Sequence, residues 1–253
     1  MKNSTSRFSD RVENYIKYRP GYPAQVLEIL KAECGLTPDA LIADIGAGTG
    51  ISTRLFLENQ NTVYGVEPNT EMRQAAENSF KDNPHFHSVN ATAEQTHLPG
   101  DLFDFVIAGQ AFHWFDRETA KLEFKRILKP EGWVVLLWNE RKVDTTPFLI
   151  AYENMLLEFA TDYQEVNHTL ISHADFAQFF APYPLHTRTL PNSQTFDFEA
   201  LKGRLLSSSY CPNIGQPGYE PIMSRLQEIF ANHQTEGRVL FEYDTTLYYG
   251  HLK

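Results

Sequence analysis

The feature that most constrains this chain is Asp44-Ile45-Gly46-Ala47-Gly48-Thr49-Gly50, which closes the apolar run Leu41-Ile42-Ala43-Asp44-Ile45 and precedes a helical pattern from Ser52 to Asn59. Glycine accepts backbone angles that side chains forbid, so a strand can turn sharply here and bring its main chain against a ligand. The helix that follows offers its first N–H groups to negative charge. Such a turn by itself means only a nucleotide-like ligand. Three further apolar runs, Val63–Val66, Phe105–Ala108 and Trp133–Trp138, have the length of strands buried on both faces. Helical stretches at Thr70–Ser79 and Arg117–Leu128 fall between them. Strands that alternate with helices predict a parallel, doubly wound α/β sheet, with right-handed crossovers fixing its hand.

Spacing narrows the ligand. A dinucleotide turn needs G-x-G-x-x-G, but the sixth position counted from Gly46 is Ile51, and the third glycine comes one residue early at Gly50. Glu67 follows the second apolar run and so belongs at the carboxyl end of its strand, beside the glycine turn. A carboxylate there can accept two hydrogen bonds from a ribose diol. Nicotinamide-binding proteins use an acid in the same place, so Glu67 argues for adenosine without choosing the cofactor.

The flanks are less patterned. Pro23–Cys34 reads as a helix stopped by Gly35. After Asn139 the sequence predicts helices at Phe148–Phe159 and His173–Phe180, a strand near His186–Leu190, helices at Glu199–Leu206 and Tyr219–Asn232, and a closing strand at Val239–Tyr249. A net charge of −10 over 253 residues opposes a polyanionic substrate, so no nucleic-acid partner is expected. The first 22 residues run the other way, with Lys2, Arg7, Arg11, Lys17 and Arg19 against Asp10 and Glu13, and read equally as a solvated arm or an anion-attracting lid. No apolar run is long enough for a membrane span, and Met1 is followed by polar residues instead of an apolar signal core, so a cytoplasmic location is expected. Cys34 and Cys211 form no C-x-x-C pair and are read as packed thiols. His85-Phe86-His87 alternates like a strand and has no nearby Cys or carboxylate to complete a ligand set, so no metal is expected.

At residues 36–140 the chain resembles the class I S-adenosylmethionine-dependent methyltransferases, with several motifs in that family's order. Asp44–Gly50 is similar to its first motif, Val66-Glu67-Pro68-Asn69 to its second, and Ala91-Thr92-Ala93-Glu94-Gln95-Thr96-His97-Leu98-Pro99 to its adenine-side loop. Phe103-Asp104-Phe105-Val106 through Gln110-Ala111-Phe112-His113-Trp114-Phe115 resembles its fourth strand and following loop, and Leu128-Lys129-Pro130-Glu131-Gly132-Trp133 the turn into the fifth. Tyr15-Ile16-Lys17-Tyr18-Arg19-Pro20-Gly21-Tyr22-Pro23 resembles the N-terminal cap of a small-molecule subgroup, similar to relatives of trans-aconitate methyltransferase. Thr92 departs from the pattern, standing where relatives often place Asp, which opens the adenine amino group to Glu94, Thr92 or backbone.

The resemblance implies a Rossmann-like, mostly parallel seven-stranded sheet with an antiparallel C-terminal strand and a small helical cap. It implies one domain, divided into an N-terminal cap (1–35), a cofactor-binding core (36–140) and an insertion with cap helices and closing strands (141–253). It also implies S-adenosyl-L-methionine as cofactor, with Gly46, Ala47, Gly48, Thr49 and Gly50 along its methionine and ribose portion. Glu67 and Pro68 would sit at the ribose, Ala93 and Glu94 at the adenine, and Gln110 beside the methionine. Asp44 would order the turn or a water on the methionine amino group.

Methyl transfer from a sulfonium is an in-line displacement, and orientation of two bound reactants supplies on the order of 7–11 kcal/mol, so no obvious catalytic residue is required. An aromatic face near the sulfonium adds roughly 0.5–2 kcal/mol, and Tyr15, Tyr18, Tyr22, Phe112 and Trp114 are the candidates by position. His113 follows the fourth strand, where a neutral imidazole can take a proton from a hydroxyl, amine or thiol acceptor, whereas a carboxylate acceptor needs no base. Arg19 can fork onto a carboxylate, either that of an acceptor or that of the methionine moiety. The expected partner is a small-molecule methyl acceptor. A silent S-adenosylmethionine-binding protein and, with less support, an NAD-dependent oxidoreductase are the competing readings. The acceptor and the oligomeric state have no motif in the cap, in Arg141–Pro184 or in the C-terminal helices.

Overall fold

A computed structural model describes residues 11–161, 163 and 171–253. Lys2 and Arg7 of the basic stretch lie outside them. In chain order the described elements are α1 (Val12–Tyr18), α2 (Gln25–Cys34), β1 (Leu41–Ile45), α3 (Ile51–Glu58), β2 (Thr62–Val66), α4 (Thr70–Ser79), β3 (Phe86–Val89) and β4 (Phe103–Gly109). There follow α5 (Arg117–Ile127), β5 (Leu128–Arg141), α6 (Pro147–Phe159), α7 (His173–Phe180), β6 (His186–Phe196), α8 (Phe198–Leu206), α9 (Tyr219–His233) and β7 (Val239–Gly250).

The seven strands form one sheet in the order β3-β2-β1-β4-β5-β7-β6. Strands β1 to β5 pair in parallel, and β7 runs antiparallel to both β5 and β6. This is the doubly wound, mostly parallel architecture with an antiparallel C-terminal strand. The chain leaves β1 toward β2 on one side and returns to β4 on the other, so a crevice opens at the carboxyl ends of β1 and β4.

Strand side chains alternate between the two faces. Ile42, Phe105, Ile107, Val135 and Leu137 pack against α2, α3 and α4, where Leu30, Phe56 and Phe80 meet them. Ala43, Ile45, Val106, Ala108, Val134 and Leu136 face the other way, toward Phe124 of α5 and Phe176 and Phe180 of α7. Because both faces are buried, these strands read as unbroken apolar runs and not as alternating ones. Gly35 ends α2 in a left-handed conformation (φ 68°). Cys34 and Cys211 are free, and burial pushes both thiols up, to about 12 and about 11 respectively.

The sequence underestimates the length of β5 and β6. The edge strand β6 runs on to Phe196 through its antiparallel pairing with β7, and β5, an interior strand, starts early at Leu128 through a parallel pairing with Phe103 of β4. The β5–β7 ladder stops at Arg141–Tyr243, while β6 and β7 stay paired to Phe196–Val239. This overhang projects past the carboxyl edge of the sheet and carries a third core, in which Phe241 and Tyr243 meet Tyr152 of α6, Leu201 of α8 and Ile222 of α9.

The N-terminal arm lies over the same edge. The Arg11 guanidinium donates to the carbonyls of Leu206, Ser208 and Cys211 at 3.0, 2.5 and 2.8 Å. Asn139 Nδ2 donates to the carbonyl of Gly21 (3.1 Å), and Gln194 Nε2 to that of Tyr18 (3.4 Å). The Tyr18 ring lies against the backbone of α8 at Gly203, where an added Cβ would come within 2.0 Å of Tyr18 Cε2. Gly203→Val is therefore expected to lower stability by about 1–3 kcal/mol, as overpacking does. It should also speed trypsin cleavage after Lys17; urea unfolding unchanged from wild type would show that the arm does not depend on this contact.

Candidate active site

A cavity of about 480 Å³ opens at the carboxyl edge of the sheet. Its floor is the turn after β1, where Gly46, Gly48 and Gly50 all take left-handed backbone (φ 69°, 58° and 87°). The turn is tied to the end of β2: the Gly46 and Ala47 N–H groups donate to the Val66 carbonyl at 2.8 and 3.1 Å. Gly48 N–H donates to Glu67 Oε2 (2.9 Å), and Asn69 N–H to Glu67 Oε1 (2.8 Å). Each oxygen of the Glu67 carboxylate is thus aimed by one backbone donor and keeps a lone pair. Burial raises the Glu67 pKa, against the opposing pull of those two backbone donors.

Asp44 lies under the floor and is fully buried. Its Oδ2 accepts from Ser52 Oγ (2.8 Å) and Thr53 Oγ1 (2.6 Å), which locks the first turn of α3 to β1. Its Oδ1 has no protein partner. Desolvation dominates and pushes this carboxyl up to about 6, although the two hydroxyls hold it down. Thr49 Oγ1 and Gln110 Oε1, on residues that line the cavity, are among the other buried atoms without a hydrogen-bond partner. Gln110 is held in left-handed backbone (φ 55°) by its N–H to the Leu137 carbonyl and by Nε2 to the Asn139 carbonyl (2.8 Å). A non-glycine residue at such an angle is strained, and strain of this kind gathers at functional sites.

One wall carries Pro68, Ala93 and Glu94. The loop bearing them is anchored by Thr96, whose N–H and hydroxyl both donate to Glu123 Oε1 (2.9 and 2.5 Å). Glu94 Oε1 accepts from Asp116 N–H (2.9 Å). His113 and Trp114 also line the cavity, and the His113 ring lies 4.5 Å from that of Trp114 and 5.5 Å from that of Trp138. Phe112 is fully buried and stacks on Phe176 at 5.3 Å, so it belongs to the core.

From the arm, Tyr15, Arg19 and Tyr22 reach the cavity, and Tyr18 does not line it. Burial pushes the Tyr22 phenol well up. Arg19 Nη2 donates to the Ser207 carbonyl (2.9 Å), its guanidinium lies over the Tyr15 ring at 4.9 Å, and its buried Nε has no partner. Burial and then the like charge of Arg204 lower its pKa. The structure therefore gathers the glycine turn, Glu67, Pro68, Ala93, Glu94, Gln110, His113, Trp114, Tyr15, Arg19 and Tyr22 around one space, with Asp44 beneath it and Tyr18 behind it.

Sequence reasoning missed the far end of the cavity, which is lined by Asn139, Arg141, Glu153, Tyr163, Arg204 and Tyr243. These residues come from β5, α6, α8, β7 and the segment after α6, and no local spacing joins them. Among the described residues no group of three His, Cys, Asp or Glu side chains gathers in a way that would hold a metal. No helix among them is long and apolar enough to cross a membrane.

Comparison with known proteins agrees with this geometry. Residues 43–136 match the family model described as Methyltransferase domain. An uncharacterized methyltransferase of Schizosaccharomyces pombe is 32% identical over 135 residues, 53% of each chain. The chain thus spans about half the length of the curated relatives it matches. A protein of Anaeromyxobacter dehalogenans provisionally described as a type II methyltransferase shares the fold, with a TM-score of 0.68 at 22% identity, over 93% of this chain and 98% of that one. Phosphoethanolamine N-methyltransferase 2 of Haemonchus contortus, solved with S-adenosyl-L-methionine, superposes with a TM-score of 0.57 at 16% identity, over 98% of this chain and 57% of that one. The segment matched by the family model contains the glycine turn, Glu67, Ala93, Glu94 and Gln110.

The buried acid gives the site a pH signature. Its proton is held more tightly in the folded chain than in the unfolded one, so Asp44 lowers stability as the pH rises from 3.8 toward about 6. The unfolding free energy of wild type minus that of Asp44→Asn should fall across that window in a urea denaturation series; a constant difference would refute the assignment.

Proposed function

We propose that the chain is an S-adenosylmethionine-dependent methyltransferase that acts on a small organic acceptor. The observation that carries this reading is the Glu67 carboxylate, aimed by Gly48 and Asn69 N–H groups at the mouth of a glycine turn inside a segment that matches the methyltransferase domain. The unpartnered polar atoms suit the same cofactor. Thr49 Oγ1 and Gln110 Oε1, on residues that line the cavity, can each accept a hydrogen bond, and a ligand with an ammonium group and a ribose diol brings donors of that kind. At Gly48 an added Cβ would meet nothing nearer than Met72 Sδ at 3.8 Å, so the turn leaves open space on its ligand side.

In this reading Glu67 holds the ribose hydroxyls, Pro68, Ala93 and Glu94 flank the adenine, and the turn and Gln110 flank the methionine. Arg19 takes the methionine carboxylate, since its Nε is buried, unpartnered and brought to the cavity by the arm. When bound, the cofactor supplies an electrophilic methyl group on a sulfonium. The chain's own residues supply orientation, exclusion of water by the arm, and the aromatic faces of Tyr15, Tyr22 and Trp114 beside the positive charge. His113 is the residue positioned to take a proton when the acceptor is a hydroxyl, amine or thiol. The likeness of Tyr15–Pro23 to the cap of the subgroup related to trans-aconitate methyltransferase supports a small acceptor. The net charge of −10 opposes a nucleic acid.

Isothermal titration tests the reading directly. S-adenosylmethionine should bind and NAD should not. Glu67→Ala should weaken binding by at least about tenfold, the loss of a charge-assisted pair of hydrogen bonds. No binding of S-adenosylmethionine, or tighter binding of NAD, would remove the proposal.

A further inference from the structure

The far end of the cavity is rich in guanidinium. Arg204 is only 6% exposed, and Arg141 has a side chain only 8% exposed. Burying a cation is costly unless an anion or a full set of acceptors meets it. Arg204 meets neither within the fold: its Nε donates to the Tyr243 hydroxyl (3.4 Å) and its Nη1 to Ser208 Oγ (3.1 Å), both neutral, and nothing in the described residues takes Nη2. Arg141 Nη2 is shared between the Glu153 carboxylate and the Tyr163 hydroxyl, while its buried Nη1 has no partner. Arg141 Nη1 is therefore a buried donor without an acceptor, and Arg204 beside it in the cavity wall has hydrogen bonds only to neutral hydroxyls.

Charge balance points the same way. Three guanidinium groups line this part of the cavity, those of Arg19, Arg141 and Arg204. Glu153 answers one of them, and it is already engaged by Arg141 and by the Tyr163 hydroxyl at 2.9 Å. Glu140 also lines the cavity but is exposed to solvent, where its field is screened. Of the two positive charges that remain, the carboxylate of the cofactor takes one. The other calls for a single negative charge, which a carboxylate carries and a phosphate monoester exceeds.

We infer that Arg141 and Arg204 form the acceptor subsite and hold the carboxylate of a small organic acid, with the phenols of Tyr163 and Tyr243 fixing the two forks. The inference rests on the methyltransferase reading for the place of the cofactor. The guanidinium plane matches a carboxylate by two parallel N–H donors, and the phenols that already hold each arginine keep the forks from rotating away.

The test is calorimetric and separates the two readings. Wild-type protein is first titrated with S-adenosylhomocysteine. The saturated complex is then titrated with benzoate, 4-hydroxybenzoate, glutarate and fumarate, with the corresponding amides, and with phenyl phosphate. The expected result is binding of at least one acid and not of its amide, weakened at least about tenfold in Arg204→Gln and in Arg141→Gln with S-adenosylhomocysteine affinity unchanged. Arg141→Lys keeps the charge without the fork and should also lose acid affinity, which serves if Arg204→Gln fails to fold. The subsite is overturned if protein that binds S-adenosylhomocysteine takes none of the acids, takes amides equally well, prefers phenyl phosphate, or keeps its acid affinity in the arginine variants. Loss of S-adenosylhomocysteine binding in wild type overturns the methyltransferase reading instead, and the acid titrations of the free protein then stand alone.

Discussion

The carboxyl edge of this sheet depends on one short turn that can be made only with glycine. Between β1 and α3, three residues hold left-handed backbone, and the intervening N–H groups close onto Val66 and Glu67 at the end of β2. That closure does two things at once. It brings the strand ends to a fixed separation at the point where the sheet reverses its order, and it spends one lone pair of each Glu67 oxygen on aiming the carboxylate. Asp44 braces the turn from below through the hydroxyls of Ser52 and Thr53. The acid is costly to bury, so the site holds a charged brace that the fold only half satisfies.

A second joint, Asn139, connects this floor to the rest of the cavity. Its carbonyl accepts from Gln110, its Nδ2 donates to the arm at Gly21, and its Oδ1 accepts from Thr245 of β7. A single buried amide thus registers the strained residue after β4, the N-terminal arm and the antiparallel strand against one another. The arm is held largely through its main-chain carbonyls, by Asn139, Asn192 and Gln194, and by Arg11 reaching the loop after α8. Backbone groups near a buried edge need partners, and these side chains supply them where no strand ladder does.

Much of this was legible in the sequence, and the exceptions have physical causes. β1, α4 and α7 coincide with their predicted spans because each is bounded by a local signal: glycine after β1, Asn69 and Ser172 as N-caps. β3 is a short, half-exposed edge strand, so the sequence shows only the strand-like alternation of His85-Phe86-His87 and not its span to Val89. α1 was invisible because its seven residues bury no side chain and its place comes from packing on α8. In the site, the cofactor wall is written as contiguous motifs, since a tight turn and a strand end are local objects. The wall of Arg141, Glu153, Arg204 and Tyr243 is assembled from distant segments of the chain, and only the tertiary fold makes it a set.

The overhang of β6 and β7 has an evolutionary corollary. It places the residues that would choose an acceptor at the last pair of the β5–β7 ladder, Arg141 and Tyr243, and on the helices packed against the overhanging strands, away from the strands that brace the glycine turn. Substitutions or insertions there can alter what enters the cavity without moving Gly46, Gly48 or Glu67. A lineage built on this plan can exchange one metabolite for another while its reagent and its way of holding that reagent stay fixed. Divergence between descendants should then collect in α6, α8 and the overhanging ends of β6 and β7.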